Sequence, residues 1–184
     1  MKKILVVDDE PNNLQILKQV LEKDYQLFFA NRGELALEVA RMKLPDLILL
    51  DIMMPGMNGY DTCKELKRRP DTANIPVIFV SAMGEVENEV QGFDAGAVDY
   101  VLKPISPTIV KRRIRTHLQL VRAENLEKSQ RAAVFMLGQA GHYNDTDTGQ
   151  HIWRMAAYAK QLASLSGWST DMTARLELAA PMHD

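Results

Sequence analysis

The stretch Lys3-Ile4-Leu5-Val6-Val7-Asp8-Asp9-Glu10-Pro11 decides the fold. Four aliphatic residues in a row, three of them β-branched, read as a strand buried on both faces. Three carboxylates then end the run, which also removes the signal-peptide reading that Met1-Lys2-Lys3 invites. Pro11 suits the first position of a helix. Outward from this point the alternation recurs, and strands are predicted over Lys3–Val7, Gln26–Ala30, Asp46–Leu50, Pro76–Val80 and Val98–Leu102. Between them Leu14, Leu17 and Leu21, then Leu35, Val39 and Met42, recur at the three- and four-residue intervals that line one helix face. Buried strands alternating with amphipathic helices predict a doubly wound α/β fold, a five-stranded parallel sheet between helical layers with right-handed crossovers.

The 184 residues allow one full domain and a small second one. With 46% hydrophobic and 25% charged residues, the composition is that of a core-forming protein and excludes disordered or collagen-like chains. The longest stretches free of Asp, Glu, Lys and Arg, Thr72–Gly84 and Ala132–Asn144, are too short to cross a bilayer. No membrane partner is therefore expected, and the cytoplasm is the expected location. Cys63 is the single cysteine, which excludes an intrachain disulfide and suits a packing residue in a reducing compartment. The net charge of −2 conceals an asymmetry: residues 1–105 hold 12 basic and 17 acidic side chains, residues 106–184 hold 10 and 7. Seven of those later basic residues crowd between Lys111 and Arg131, which marks a connector.

Chemistry in doubly wound folds collects at the carboxyl ends of the strands. There Asp8 and Asp9 follow the first predicted strand, Asp51 the third, Ser81 the fourth and Lys103 the fifth. Taken singly, an acid such as Asp8 reads as a cap for the helix that Pro11 opens. Three carboxylates in one crevice repel one another unless a cation neutralises them, and an oxygen-only ligand set favours Mg²⁺. Lys103 and the Ser81 hydroxyl then supply the positive charge and hydrogen-bond donor that a transferring phosphoryl group needs. Asp51 is the expected nucleophile, forming an acyl phosphate.

Asp8-Asp9, Asp51, Ser81, Tyr100 and Lys103-Pro104, with Ile52 to Gly59 after the nucleophile and Ala95 to Tyr100 before the last strand, resemble the receiver domain of bacterial two-component response regulators. The resemblance covers about residues 1–122 and implies a flavodoxin-like sheet of order 2-1-3-4-5. It implies that a histidine kinase phosphorylates Asp51, and that Asp8, Asp9, Asp51 and the backbone carbonyl of Met53 hold Mg²⁺. Lys103 would contact the phosphoryl oxygens, and Ser81 and Tyr100 would form the switch that biases a two-state surface. Lys103-Pro104 is often a cis peptide in that family. Met53 and Met83, apolar and flexible, are expected to flank the acyl phosphate and hinder attack by water.

From Pro107 to about Gln139 good helix formers run without an interior proline, so the last receiver helix is expected to continue as a rod over 106–140. Leu118, Val121, Asn125, Lys128, Ala132 and Phe135 follow a three-four spacing compatible with a homodimeric coiled coil. No helix-turn-helix pattern follows the basic run Lys111-Arg112-Arg113-Ile114-Arg115, so DNA binding is not expected.

Residues 141–184 hold an amphipathic helix with Ile152, Met155, Ala159 and Leu162, closed by Gly167, and a second helix after Ser169-Thr170. Asp147 and His151 are four apart, on one face if both are helical, and His183-Asp184 could complete a metal site. Asp145-x-Asp147-Thr148-Gly149-x-His151-Ile152-x-Arg154, Tyr158, Leu162-Ala163 and Leu178 to Asp184 resemble the opening of an HD-GYP domain. That resemblance implies hydrolysis of cyclic di-GMP by two or three transition metals, iron or manganese, with Asp147, His151, His183 and Asp184 as the early ligands. Two residues depart from the pattern: Asp147 stands where many members have Glu, and His142 where an acid is common. The sequence reaches the His-Asp pair but not the later ligands or the Gly-Tyr-Pro motif, so this stretch alone is expected to be inactive and incompletely packed. Two other readings are a phosphorylation-dependent dimerisation or interaction protein with a non-catalytic helical C-terminus, and a metal-binding but degenerate output domain.

Overall fold

The computed structural model describes residues 1–82, 94–141 and 150–182. The chain forms β1 (Lys3–Val7), α1 (Pro11–Leu21), β2 (Gln26–Ala30), α2 (Gly33–Lys43), β3 (Leu47–Asp51), α3 (Gly59–Arg68), β4 (Val77–Ala82), β5 (Asp99–Lys103), α4 (Pro107–Gly141), α5 (Gln150–Leu165) and α6 (Thr170–Ala179), with a 3₁₀ turn at Ala180–Met182. The five strands form one parallel sheet of order β2-β1-β3-β4-β5. The doubly wound fold with its 2-1-3-4-5 order, expected above, is the fold observed.

The strand alternation that sequence cannot resolve in an all-apolar run is resolved by packing. Leu5, Val7, Ile48, Leu50, Val77 and Phe79 point to one face, where Ala36 and Ala40 of α2 and Cys63 and Leu66 of α3 cover them. Ile4, Val6, Leu47, Leu49, Ile78, Val80 and Val101 point to the other, under Leu17 and Leu21 of α1 and Val110 and Ile114 of α4. Burying two such faces supplies the hydrophobic drive, at roughly 25 cal/mol per Å² of apolar surface.

β1 and β2 have the predicted bounds, whereas β3, β4 and β5 each start one residue later and end one or, for β4, two residues later than predicted. Asp46 turns instead of pairing as a strand residue: its carboxylate accepts the Lys3 N–H (2.8 Å) and the Lys2 ammonium (2.7 Å). Pro76 lacks an N–H and contributes only its carbonyl, to Ile48 N (2.9 Å). At the other edge the ladder continues through Asp51↔Val80 and Ala82↔Lys103, which draws Asp51, Ser81 and Lys103 into the strands themselves.

The chain divides into two compact units, Met1–Leu120 and Val121–Asp184. In the first, Leu118 of α4 packs on the sheet core; the second begins in the same helix, where Val121 is half-buried and residues 122–133 are exposed. Leu118, half-buried, thus packs on the sheet core, while Asn125, Lys128 and Ala132 of the expected coiled-coil spacing are exposed. In the second unit α5 and α6 meet around Ala156, Ala163 and Thr173, with Lys160 and Glu177 paired at 2.7 Å. Ser169 caps α6 by accepting the Met172 N–H (3.3 Å), as its position before the helix predicts. Among the described residues no helix is long and apolar enough to cross a membrane.

Candidate functional site

The parallel ladder brings the carboxyl ends of β1, β3, β4 and β5 to one edge of the sheet, with β4 between β3 and β5. Asp8 and Asp9 follow β1 directly, while Asp51 and Lys103 are the last residues of β3 and β5. Carboxylate oxygens of Asp8, Asp9 and Asp51 lie within 4.8 Å of one another. Asp8 and Asp51 are buried and Asp9 is half-buried. Lys103 Nζ bridges the two buried acids, 3.0 Å from Asp8 Oδ2 and 3.1 Å from Asp51 Oδ1.

The two oxygens of Asp8 have different partners. Oδ1 accepts from the Glu10 N–H and from the Asn13 side-chain amide, both at 2.9 Å. Oδ2 is fully enclosed, and its one partner among the described residues is the Lys103 ammonium of the ion pair. Burial and the neighbouring Asp8 charge push the Asp51 carboxyl above the ordinary carboxylate range, only partly offset by Lys103 and the Met53 N–H. Burial pulls the Lys103 ammonium down, but its contacts with Asp8 and Asp51 and their charges outweigh this and leave its pKa raised.

The loop after Asp51 is fixed by local chemistry. Gly59 N donates to Ile52 O (2.9 Å), so α3 starts in contact with the end of β3. A Cβ at Gly59 would strike the Asp51 carbonyl oxygen and Ile52 Cα, both backbone, so only glycine fits. Asn58 caps the helix by accepting the Asp61 N–H (2.9 Å). Met53 in this loop is 66% exposed.

Ser81 is buried at the penultimate position of β4, and Tyr100 is half-buried at the second position of β5, opposite Phe79 in the ladder. The Lys103-Pro104 peptide is cis. Asp8, Asp9, Asp51 and Lys103 are therefore brought together, with Ser81 on the intervening strand β4 and Tyr100 three residues before Lys103 on β5. Met83, Asp147, His183 and Asp184 lie outside the described residues, as does His142; His151 is the second residue of α5 and its side chain is likewise outside them.

Two groups of residues escaped sequence reading. Asn13 reaches Asp8 from the first turn of α1, and nothing in its spacing marks it. Asp99, buried at the start of β5, accepts Arg113 Nη1 on both oxygens (2.9 Å each), lies 2.9 Å from His117 Nε2, and also accepts the Tyr100 N–H (2.8 Å). This knot ties β5 to two successive turns of α4. Only the i, i+4 spacing of Arg113 and His117 hints at it.

Residues 4–115 match the response regulator receiver domain. The chain belongs to that family. Among curated relatives, a Vibrio cholerae protein named "Probable cyclic di-GMP phosphodiesterase" is 39% identical over 179 residues, covering 87% of this chain and 41% of that protein. Response regulator PleD of Caulobacter vibrioides is 41% identical over 115 residues, covering 62% of this chain and 25% of PleD. This receiver-containing chain thus spans less than half of either relative. Among solved structures, a response regulator receiver domain protein from Methanospirillum hungatei is 29% identical with a TM-score of 0.63, covering 67% of this chain and 98% of that one.

Proposed function

We propose that this receiver takes a phosphoryl group from a histidine kinase onto Asp51 and thereby controls a cyclic di-GMP phosphodiesterase output. The observation that carries the reading is Asp51 itself: a carboxylate at the end of β3, paired with Lys103 and within ligand-sharing distance of Asp8 and Asp9. An oxygen of Asp51 attacks the phosphorus of the donor phosphohistidine, the P–N bond breaks, the imidazole leaves, and an acyl phosphate results. Lys103 holds the transferring group by its charge.

The residues fit a divalent cation. Three carboxylates offer oxygen ligands, and the enclosed Asp8 Oδ2 has only the Lys103 ion pair among the described residues to offset its burial. Mg²⁺ would be held by Asp8, Asp9, Asp51 and the Met53 carbonyl, and when bound it neutralises charge developing on the phosphoryl oxygens. Ser81 and Tyr100 are assigned the switch, and Met53 with Met83 the exclusion of water.

The output assignment is supported by the extent of the Vibrio cholerae match, since 87% of the chain exceeds what residues 4–115 supply, whereas the PleD match does not pass beyond a receiver's length. Asp147, His151, His183 and Asp184 are its first iron or manganese ligands in an HD-GYP-type site. The exposed run of α4 from residue 122 to 133 carries homodimerisation.

The test is phosphorylation by a small phosphodonor with Mg²⁺, reading intact mass and dimer fraction on wild type and Asp51→Ala. A phosphoryl adduct on the wild type that is absent from the variant, with a change in dimer fraction, is the expected outcome. No adduct on the wild type overturns the assignment.

A further inference from the structure

We propose that Asn13 is a positioning residue of the cation site, holding Asp8 so that one chosen oxygen faces the cation. The inference rests on the reading of Asp8, Asp9 and Asp51 as a Mg²⁺ site. Asn13 is the third residue of α1, and its side-chain nitrogen donates to Asp8 Oδ1 (2.9 Å) and to Glu10 Oε2 (3.2 Å). Both partners are carboxylates, which only accept, so the amide must present its NH₂ and not its oxygen. With the Glu10 N–H at 2.9 Å on the same atom, Oδ1 has two donors from the turn after β1, while Oδ2 faces the Lys103 ammonium at 3.0 Å.

This asymmetry has a consequence for binding. A carboxylate free to rotate would present either oxygen to its surroundings, and part of the cation affinity would be lost in ordering it. Two donors on Oδ1 fix the plane of the carboxylate and leave the enclosed Oδ2, whose one partner among the described residues is the Lys103 ammonium, as the ligand atom turned to the acidic cluster. Partners behind a metal ligand typically contribute 10- to 100-fold in metal affinity. α1 has Glu10 at its N-cap with no side-chain capping bond, and the Asn13 amide bonds the Glu10 carboxylate and reaches past it to Asp8 at the shorter distance. A purely structural role would move stability and leave the cation alone.

The experiment titrates Mg²⁺ into the full 184-residue chain by calorimetry, comparing wild type, Asn13→Ala and Asn12→Ala. Asn12 is exposed on the same helical turn and controls for the loss of an asparagine there. Urea unfolding without Mg²⁺ runs alongside, and the Mg²⁺ dependence of phosphorylation by phosphoramidate gives an independent half-saturation. The expected result is an Mg²⁺ dissociation constant about 10-fold higher for Asn13→Ala alone. The phosphorylation rate at saturating Mg²⁺ should stay within about twofold of wild type, since Asn13 touches no reacting atom.

Dissociation constants within twofold for all three proteins overturn the inference while the Mg²⁺ reading stands, as does a loss confined to the urea midpoint. Absence of Mg²⁺ binding by the wild type overturns that reading and the inference with it. Should Asn13→Ala be too unstable to titrate, the Asn13 side-chain amide resonances of the wild type serve instead. They should shift with the same Mg²⁺ midpoint as the backbone amides of residues 8–10, and a fixed position overturns the inference.

Discussion

Replacing Lys103 with methionine, which keeps an unbranched side chain up to the ε position and removes the charged nitrogen, tests the electrostatics of the site most directly. Lys103 lies 3.0 Å from Asp8 and 3.1 Å from Asp51, and both acids are buried. At an effective dielectric constant of ~20, each pair has a gross attraction of roughly 5 kcal/mol, which the desolvation of three charges largely offsets. What the substitution exposes is the remainder: two buried carboxylates left facing each other. Breaking a buried pair by removing one partner costs about 3–5 kcal/mol. The Lys103 side chain is 23% exposed, so solvent screening moves the expected loss to about 2–3 kcal/mol at neutral pH without metal.

The pH dependence has a fixed sign. The folded-state pKa of Asp51 is raised above its unfolded value, so its burden on stability is present above the folded pKa and vanishes as pH falls below the ordinary carboxylate value. Without Lys103 that pKa rises further, and the gap between variant and wild type narrows as pH falls through this window. The raised pKa of Lys103 contributes stability below its ordinary lysine value, lost only as pH climbs through the folded pKa, well above this range. Millimolar Mg²⁺ should restore part of the loss at pH 7 by binding the folded state. Urea unfolding at pH 7 and pH 4.5, with and without Mg²⁺, reads all of this. A loss under about 1 kcal/mol at pH 7, or a gap equally large at both pH values, would refute the reasoning.

Other expectations follow from particular contacts. Gly59→Ala drives a Cβ into the backbone of Asp51 and Ile52, which cannot rotate aside, so stability should fall by about 3 kcal/mol and Mg²⁺ binding with it. Gly167→Ala, with positive φ but open space, should cost only about 1–2 kcal/mol, and urea midpoints compare the two. Asp99→Asn leaves Arg113 and His117 without their carboxylate; the half-exposed arginine limits the loss to about 1–2 kcal/mol. Hydrogen exchange should accelerate in the first three turns of α4, and unchanged exchange there would contradict the anchoring role. Cys63 is buried and its thiol is pushed up to about 11, so native protein at pH 8 should resist thiol reagents that label it at once in urea.

The sequence by itself determined the architecture and the main acids of the site. All-apolar strands such as Ile4-Leu5-Val6-Val7 are stable only between two layers, and helices with one apolar face supply those layers, so the period of the side chains is enough to imply a doubly wound sheet. Because chemistry in such a sheet sits at strand ends, Asp8, Asp9, Asp51 and Lys103 could be read directly from their places after apolar runs. Tertiary structure alone decided the contacts between residues distant in the chain. Leu118 has the spacing of a coiled-coil seam, yet the sheet core claims it. Asp99 meets Arg113 and His117 only because the turn after β5 sends α4 back alongside it. Asn13 is one of two neighbouring asparagines in α1, and only the turn of chain after β1 aims it at Asp8 and leaves Asn12 exposed. Periodicity records which faces are apolar, whereas polar contacts depend on atoms meeting within about 3 Å, a precision that spacing along a chain does not carry.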